Sequence, residues 1–212
     1  MLTLGDERRE YLAGALDDHY LPEQPDEFFK YWMEEALKKE PYDPTACVLS
    51  TANENSVPSS RVVLLKHYQQ NEYWFFGNRE SRKGKELQAN PVASLLFYWP
   101  KLIRQVRIEG RVEELDFEKA KEYFLTRPEE ARAASLASDQ GKEIESRSDL
   151  EKKYNIALKE LHNHPNVIPK SWTGWKLKAN VYEFWQGREA RLHDRIMYRK
   201  GESNWIRKRL QP

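Results

Sequence analysis

Between residues 46 and 114 the apolar pattern changes period, from the spacing of a helix to that of short strands. Residues 46–51, 59–66, 73–77, 92–99 and 104–114 are rich in β-branched and aromatic side chains. Turn-prone runs, Asn53-Glu54-Asn55 and Gln69-Gln70-Asn71, lie between them. Strands alternating with long crossover helices are absent, which argues against a doubly wound sheet. The segment 172–209 returns to strands. The expected fold is therefore mainly β with peripheral helices, a small and mostly antiparallel barrel.

The helices read separately. In residues 26–39, Phe28, Phe29, Trp32, Met33 and Leu37 recur at helical spacing, and Pro41 stops the run. Residues 6–16 read as a short polar helix carrying Arg8-Arg9-Glu10-Tyr11. Ser81 is the expected N-cap of a helix to Ala89, ended by Asn90-Pro91. Further helices are expected over 116–126, 129–138 and 148–161.

The chain has 212 residues, enough for one sizeable domain or two small ones, and its length needs no disulfide or metal for stability. Its 35 basic and 34 acidic residues balance, which argues against a general nucleic-acid binder. The single cysteine, Cys47, sits in an apolar run and reads as a small buried hydrophobe. No signal peptide or membrane-spanning stretch is apparent, so a cytoplasmic, reducing compartment is expected. His162 and His164 lie in a turn-like setting without a third ligand and read as a loop, not a metal site.

Four segments and the 183–195 region carry candidate chemistry. If 191–195 is extended, Arg191, His193 and Arg195 share a face and suit a planar anionic ligand; a solvated edge strand has the same pattern. In 59–66, Arg61 and Lys66 face opposite sides of a regular strand, so one site needs a bulge or two grips on one ligand. In Ser81-Arg82-Lys83, two cations beside free helix N–H groups make either a phosphate pocket or a solvated turn. From Gln105 onward, Val106 and Ile108 share one face while Gln105, Arg107 and Glu109 share the other. Gln105 can donate to and accept from a heterocycle edge. Tyr123 and Arg127, four apart on a helix, can grip a phosphate or form a plain surface pair.

Taken in order along almost the whole chain, these segments resemble the pyridoxamine 5′-phosphate oxidase family, flavin enzymes of vitamin B6 metabolism. The resemblance rests on Arg61-Val62-Val63-Leu64-Leu65-Lys66, Ser81-Arg82-Lys83, Phe97-Tyr98-Trp99 with Arg104-Gln105-Val106, and Tyr123-Phe124 with Arg127-Pro128. Glu183-Phe184-Trp185-Gln186-Gly187 with Arg191-Leu192-His193-Asp194-Arg195, and the terminal Arg209-Leu210-Gln211-Pro212, complete it.

The resemblance implies a split β-barrel homodimer with FMN at the subunit interface. It implies a single domain over 1–212, with a mobile N-terminal segment at 1–20 and C-terminal strands at 172–212 completing the site. Arg61, Val62, Val63, Leu64, Leu65, Lys66, Phe76, Gly77, Arg82, Lys83, Gln105, Gln140, Trp185 and Arg195 match FMN-contacting positions. Lys66, Tyr123, Arg127, Arg191 and His193 match substrate-holding positions, with Arg191 and His193 at the reacting centre. Arg8 and Tyr11 match a segment that closes over the substrate, and Asp43 a position near it. The implied reaction oxidises pyridoxamine or pyridoxine 5′-phosphate with dioxygen to pyridoxal 5′-phosphate, releasing peroxide, and ammonia from the amine. A related flavin oxidase acting on another aromatic compound, and a non-catalytic FMN or pyridoxal phosphate binder, are the alternatives.

The chain departs from the family pattern in four places. Ala131 replaces a hydroxyl expected on the substrate phosphate, a loss of about 1.5–3 kcal/mol unless compensated, and Arg132 is the adjacent candidate. Leu136 falls in the same altered stretch, Gly141 replaces a serine beside Gln140, and Thr173 stands where a glycine turn is expected.

Overall fold

The computed structural model describes Leu16 and residues 21–212. The helix expected at 6–16, together with Arg8 and Tyr11, lies outside the described residues, Leu16 apart.

The chain forms α1 (Pro25–Lys39), β1 (Ala46–Ala52), β2 (Pro58–Leu64), β3 (His67–Gln69), β4 (Glu72–Asn78), α2 (Arg82–Ala89), β5 (Val92–Trp99) and β6 (Arg104–Glu114). It continues with α3 (Phe117–Thr126), α4 (Glu129–Ala137), α5 (Arg147–Asn163), β7 (Trp172–Gln186), β8 (Asp194–Lys200) and β9 (Trp205–Leu210). All strand pairs are antiparallel, in the order β2-β1-β5-β6-β7-β4-β3, with β8 and β9 branching from β7. The branch explains why β7 is long. One of its edges pairs with β6, while the other serves β4 through Trp172–Lys178 and then β8 from Val181 to Gln186. Past the end of β2, the Lys66 N–H donates to Trp74 O of β4 at 2.9 Å, closing the sheet into a barrel.

The alternation seen in the sequence places the core. Leu49, Leu95, Phe97, Val106, Ile108, Phe184 and Ile196 point inward and are almost wholly buried. Helix α1 seals this interior. Pro25 stands in its first turn beside Asp26 and Glu27, and Lys38 and Lys39 sit in its last turn, both suited to the helix dipole. It ends at Lys39 because Glu40, preceding Pro41, is extended. Phe29 and Trp32 are fully buried, and Phe29 meets the rings of Tyr73 and Phe97 edge-on at 5.0 and 5.2 Å. Each such side chain contributes about 1.5–3 kcal/mol by burial.

The register shifts between Glu109 and Gly110, and a Cβ at Gly110 would lie 1.9 Å from Lys178 O. Only glycine permits this close crossing. Two small clusters lie outside the barrel: Ala133, Ala137, Ala157 and Leu161 join α4 to α5, and Ala120 and Phe124 pack α3 on Trp172. His162 belongs to the last turn of α5 and His164 is its C-cap, so the helix runs further than the sequence suggests. No helix among the described residues is long and apolar enough to cross a membrane.

Candidate active site

A cavity of about 500 Å³ opens between the end of β2, the end of β4 and helices α3 and α4. Arg61, Lys66, Lys83 and Arg127 line it, and among the described residues no aspartate or glutamate does. In a partly enclosed space such a one-signed lining focuses a positive field on any anion that enters.

Lys83 is the most constrained of the four. Ser81 caps α2 by accepting from Gly84 N, and the first turn then directs Lys83 inward, where it is buried. Its Nζ donates to Ser81 Oγ and Gln140 Oε1, each at 3.0 Å, and lies 5.6 Å from the Trp175 ring centre. Both partners are neutral, and no carboxylate pairs with it among the described residues. Burial, then the charge of Arg61, pulls the ammonium down to about 8. Gly77 makes the approach possible, since a Cβ there would stand 2.8 Å from Nζ.

Arg61 lies on the inward face of β2 and donates to Leu49 O at 3.2 Å, Thr51 Oγ1 at 2.5 Å and Ser59 Oγ. Glu86, a residue the sequence reading missed, organises this corner. It is buried and accepts from Ser59 at 2.6 Å and Arg82 Nε at 2.8 Å, with Arg61 at 3.3 Å. Burial pushes its carboxyl upward, but the hydroxyls and cations outweigh that and hold it at about 2. Arg82 therefore turns away from the main cavity and lines a neighbouring one of about 490 Å³, which shares Gln140.

At the opposite wall Tyr123 stacks on Phe76 at 4.0 Å, and Arg127 lies 4.6 Å from the Trp172 ring centre. Burial raises the Tyr123 hydroxyl's pKa against the opposing charge of Arg127. Arg127 Nη1 donates to Ser135 Oγ at 2.7 Å. Arg132 does not line the cavity, so it is not placed to compensate for Ala131; its Nη1 donates to Pro165 O at 2.6 Å. Val62, Val63, Leu64, Phe76 and Gly77 also line the cavity, whereas Leu65 is buried in the core. Asp43 is not among the residues lining the cavity; it caps the turn before β1, accepting from Thr45 N at 2.9 Å.

Two departures find a physical explanation. Gly141 has φ of 90°, a conformation a serine adopts only with strain. Thr173 lies within β7 opposite Gly77, not in a turn, and donates to Glu114.

The remaining expected residues form a second group. Gln105, Trp185 and Arg195 stand directly opposite one another across β6, β7 and β8, in a row facing away from the core. The next row, Val106, Phe184 and Ile196, is fully buried. The His193 ring lies 4.8 Å from that of Trp185. Its Nδ1 accepts from Arg188 N at 3.0 Å, so the neutral ring carries its proton on Nε2. Burial, then the charge of Arg191, lowers its pKa. Arg195 is held by Glu183 at 2.8 Å, and the same buried carboxylate accepts from Arg107 at 2.7 Å.

Arg191 is not placed as expected. It ends a short 3-10 turn, Glu189–Arg191, and both it and Ala190 have positive φ, 60° and 51°. The strand begins only at Asp194, so simple alternation does not align Arg191 with His193 and Arg195. Two consecutive left-handed non-glycine residues are strained backbone of the kind found at binding sites.

None of Gln105, Trp185, Arg191, His193 or Arg195 lines the cavity. One protomer thus presents two separate groups: a cationic cavity, and an aromatic and polar row on the outer sheet face.

A family model described as pyridoxamine 5′-phosphate oxidase matches residues 33–155. A second, the pyridoxine 5′-phosphate oxidase C-terminal dimerisation region, matches residues 172–212. The chain is 40% identical over 212 residues to the pyridoxine/pyridoxamine 5′-phosphate oxidase of Leptospira biflexa, covering all of both chains. Its identity to the enzyme of that name from Shewanella woodyi is 43% over 213 residues, again covering all of both. Among solved structures, PhzG from Burkholderia lata, in complex with tetrahydrophenazine-1-carboxylic acid, superposes with a TM-score of 0.86 at 28% identity, covering 94% of this chain and 99% of that one. Both the sheet that carries the two groups and the matched sequence show that the chain belongs to the pyridoxamine 5′-phosphate oxidase family.

Proposed function

We propose that the chain is an FMN-dependent oxidase that converts pyridoxamine or pyridoxine 5′-phosphate to pyridoxal 5′-phosphate. The observation that carries this reading is the cavity lined by four cations and, among the described residues, by no carboxylate. Its buried, acid-free Lys83 fits a phosphate ligand and is costly without one. Arg61, Lys83 and Gln140 would hold the flavin phosphate. Lys66, Tyr123 and Arg127 would hold the substrate phosphate at the opposite wall.

The site is completed by a second copy of the chain. The dimerisation-region match spans Trp185, His193 and Arg195. Tyr98 pairs with Gln105 and stands exposed on the same sheet face as the exposed Val62, which gives that face an apolar character suited to association. In the homodimer the row from one protomer meets the cavity of the other. Gln105 and Arg195 then contact the flavin, and His193 and Arg191 orient the substrate ring. FMN, when bound, would supply the redox chemistry, taking up the two electrons and hydrogen lost at the substrate's 4′ carbon and passing them to dioxygen as hydrogen peroxide. Neutral His193, with Nε2–H as donor, orients the ring, and anchoring the distant phosphate limits its motion. The chain acts as one domain, and the cytoplasm supplies the phosphorylated substrates.

The test is an absorption spectrum of the purified, yellow protein before and after anaerobic addition of pyridoxamine 5′-phosphate. Loss of the oxidised-flavin band, followed by pyridoxal 5′-phosphate and peroxide on admitting air, is the expected result. Unphosphorylated pyridoxamine at the same concentration should leave the band intact. A band unmoved by either B6 phosphate refutes the activity. Ala131 and the likeness to PhzG favour a second reading, oxidation of another ring compound, which the same titration with unphosphorylated aromatic acids identifies.

A further inference from the structure

The wall of the cavity opposite Lys83 holds a hydroxyl that the family pattern does not assign. Ala131, Ala134, Ser135 and Ser138 all line the cavity, at the spacing of one helical face. Their small side chains let an anion come close to α4. Of the two hydroxyls, that of Ser135 is joined to the cluster of cations: it accepts from Arg127 Nη1 at 2.7 Å and donates to Ala131 O at 3.0 Å. It stands one helical turn beyond Ala131, where the family resemblance places a hydroxyl.

We propose that the Ser135 hydroxyl is the neutral hydrogen-bond donor to the substrate phosphate, relocated by one turn from position 131. The inference rests on the B6-phosphate reading of the site. Its chemistry follows from the bonds Ser135 now makes. The bond to the carbonyl four residues back is a weak local one. A phosphate oxygen is a charged and stronger acceptor, and a hydroxyl rotates freely to reach it. Arg127, already 2.7 Å from the same oxygen, contacts the same ligand. The cluster then offers the phosphate two cations, a phenol and an alcohol from Lys66, Arg127, Tyr123 and Ser135.

The experiment compares wild type, Ser135→Ala and the double variant Ala131→Ser/Ser135→Ala, each as flavin-loaded dimer. For Ser135→Ala, KM for pyridoxamine 5′-phosphate should rise roughly tenfold or more, the loss of one hydrogen bond to a charged group. Its kcat should stay within about twofold, because the contact is shared by ground and transition states. The double variant should recover most of the lost affinity. An unchanged KM in Ser135→Ala overturns the assignment. So does a fall in kcat alone, or a lowered melting temperature with loss of flavin, since each marks a structural role.

Titration with inorganic phosphate, followed by tryptophan fluorescence, separates this inference from the reading beneath it. Weaker phosphate binding in Ser135→Ala, in a chain that oxidises neither B6 phosphate, would sink the activity and keep the hydroxyl. Equal phosphate binding in the two proteins overturns the hydroxyl assignment whatever the activity.

Discussion

Replacing Lys83 by methionine should push stability and flavin binding in opposite directions. Lys83 is 6% exposed, and its ammonium falls from an ordinary 10.5 to about 8 because burial, and then Arg61, disfavour the charge. That gap of about 2.5 corresponds to about 3 kcal/mol held against the charged form at neutral pH. Methionine removes the charge but forfeits the bonds to Ser81 and Gln140, a loss of about 1 kcal/mol each, about 2 kcal/mol together. The flavin-free variant should therefore gain about 1 kcal/mol, a melting temperature higher by about 2–4 °C for a chain of this length. The sign also follows from pH. Between about 8 and 10.5 the unfolded chain keeps a proton that folded Lys83 has released, so wild-type stability rises with pH across that window. In the variant this rise disappears. FMN affinity should fall by about 1.5–3 kcal/mol, roughly 10- to 150-fold, with the loss of one charge-assisted contact to phosphate. Differential scanning calorimetry of the flavin-free protein and fluorescence titration with FMN measure the two effects. A variant that melts lower and binds FMN as before refutes the reasoning and makes Lys83 a structural residue.

Arg127→Ala removes the cation above Trp172 and should raise KM for pyridoxamine 5′-phosphate by roughly a hundredfold. Flavin content, read from absorbance, should be unchanged. For His193, protonation destroys the acceptor that Arg188 N–H uses, and burial with Arg191 keeps its pKa below 6.5. Accordingly, kcat/KM should be level above pH 6.5 and fall as pH drops through the lowered pKa, and His193→Asn should lose that acid limb in a pH–rate profile. Gly110→Ala forces a Cβ to within 1.9 Å of Lys178 O, so denaturant melts should show a loss of about 3 kcal/mol or more.

The barrel was legible because its strands keep a strict two-residue period. Gln105, Arg107 and Glu109 face out while Val106 and Ile108 are buried, as the alternation requires. The helices were legible for comparable reasons: Ser81 caps α2, and Pro41 follows the end of α1. Local periodicity failed at Arg191, because two left-handed residues break the strand just before Asp194. It was equally silent on Glu183, held between Arg107 of β6 and Arg195 of β8, and on Glu86, which joins Arg82 of its own helix to Arg61 of β2. The same limit hid Ser135. Nothing at 135 itself signals a ligand; its bond to Arg127 depends on how α4 lies against the end of α3. Pairing Gln105 with Trp185 and Arg195 required the register of three strands, which composition does not encode.

The central claim is that each active site joins the cavity of one protomer to the outer-face row of another. Mixed dimers of Arg127→Ala, damaged in the cavity, and His193→Asn, damaged in the row, test it directly when assayed at low pyridoxamine 5′-phosphate. In a mixed dimer one site carries both lesions and the other carries neither. Each parent should be nearly inactive, and an equal mixture refolded together should recover about a quarter of wild-type activity, because half the dimers are mixed and each has one intact site. If mixed dimers form and remain as inactive as their parents, both groups serve a site within one chain and the account is wrong.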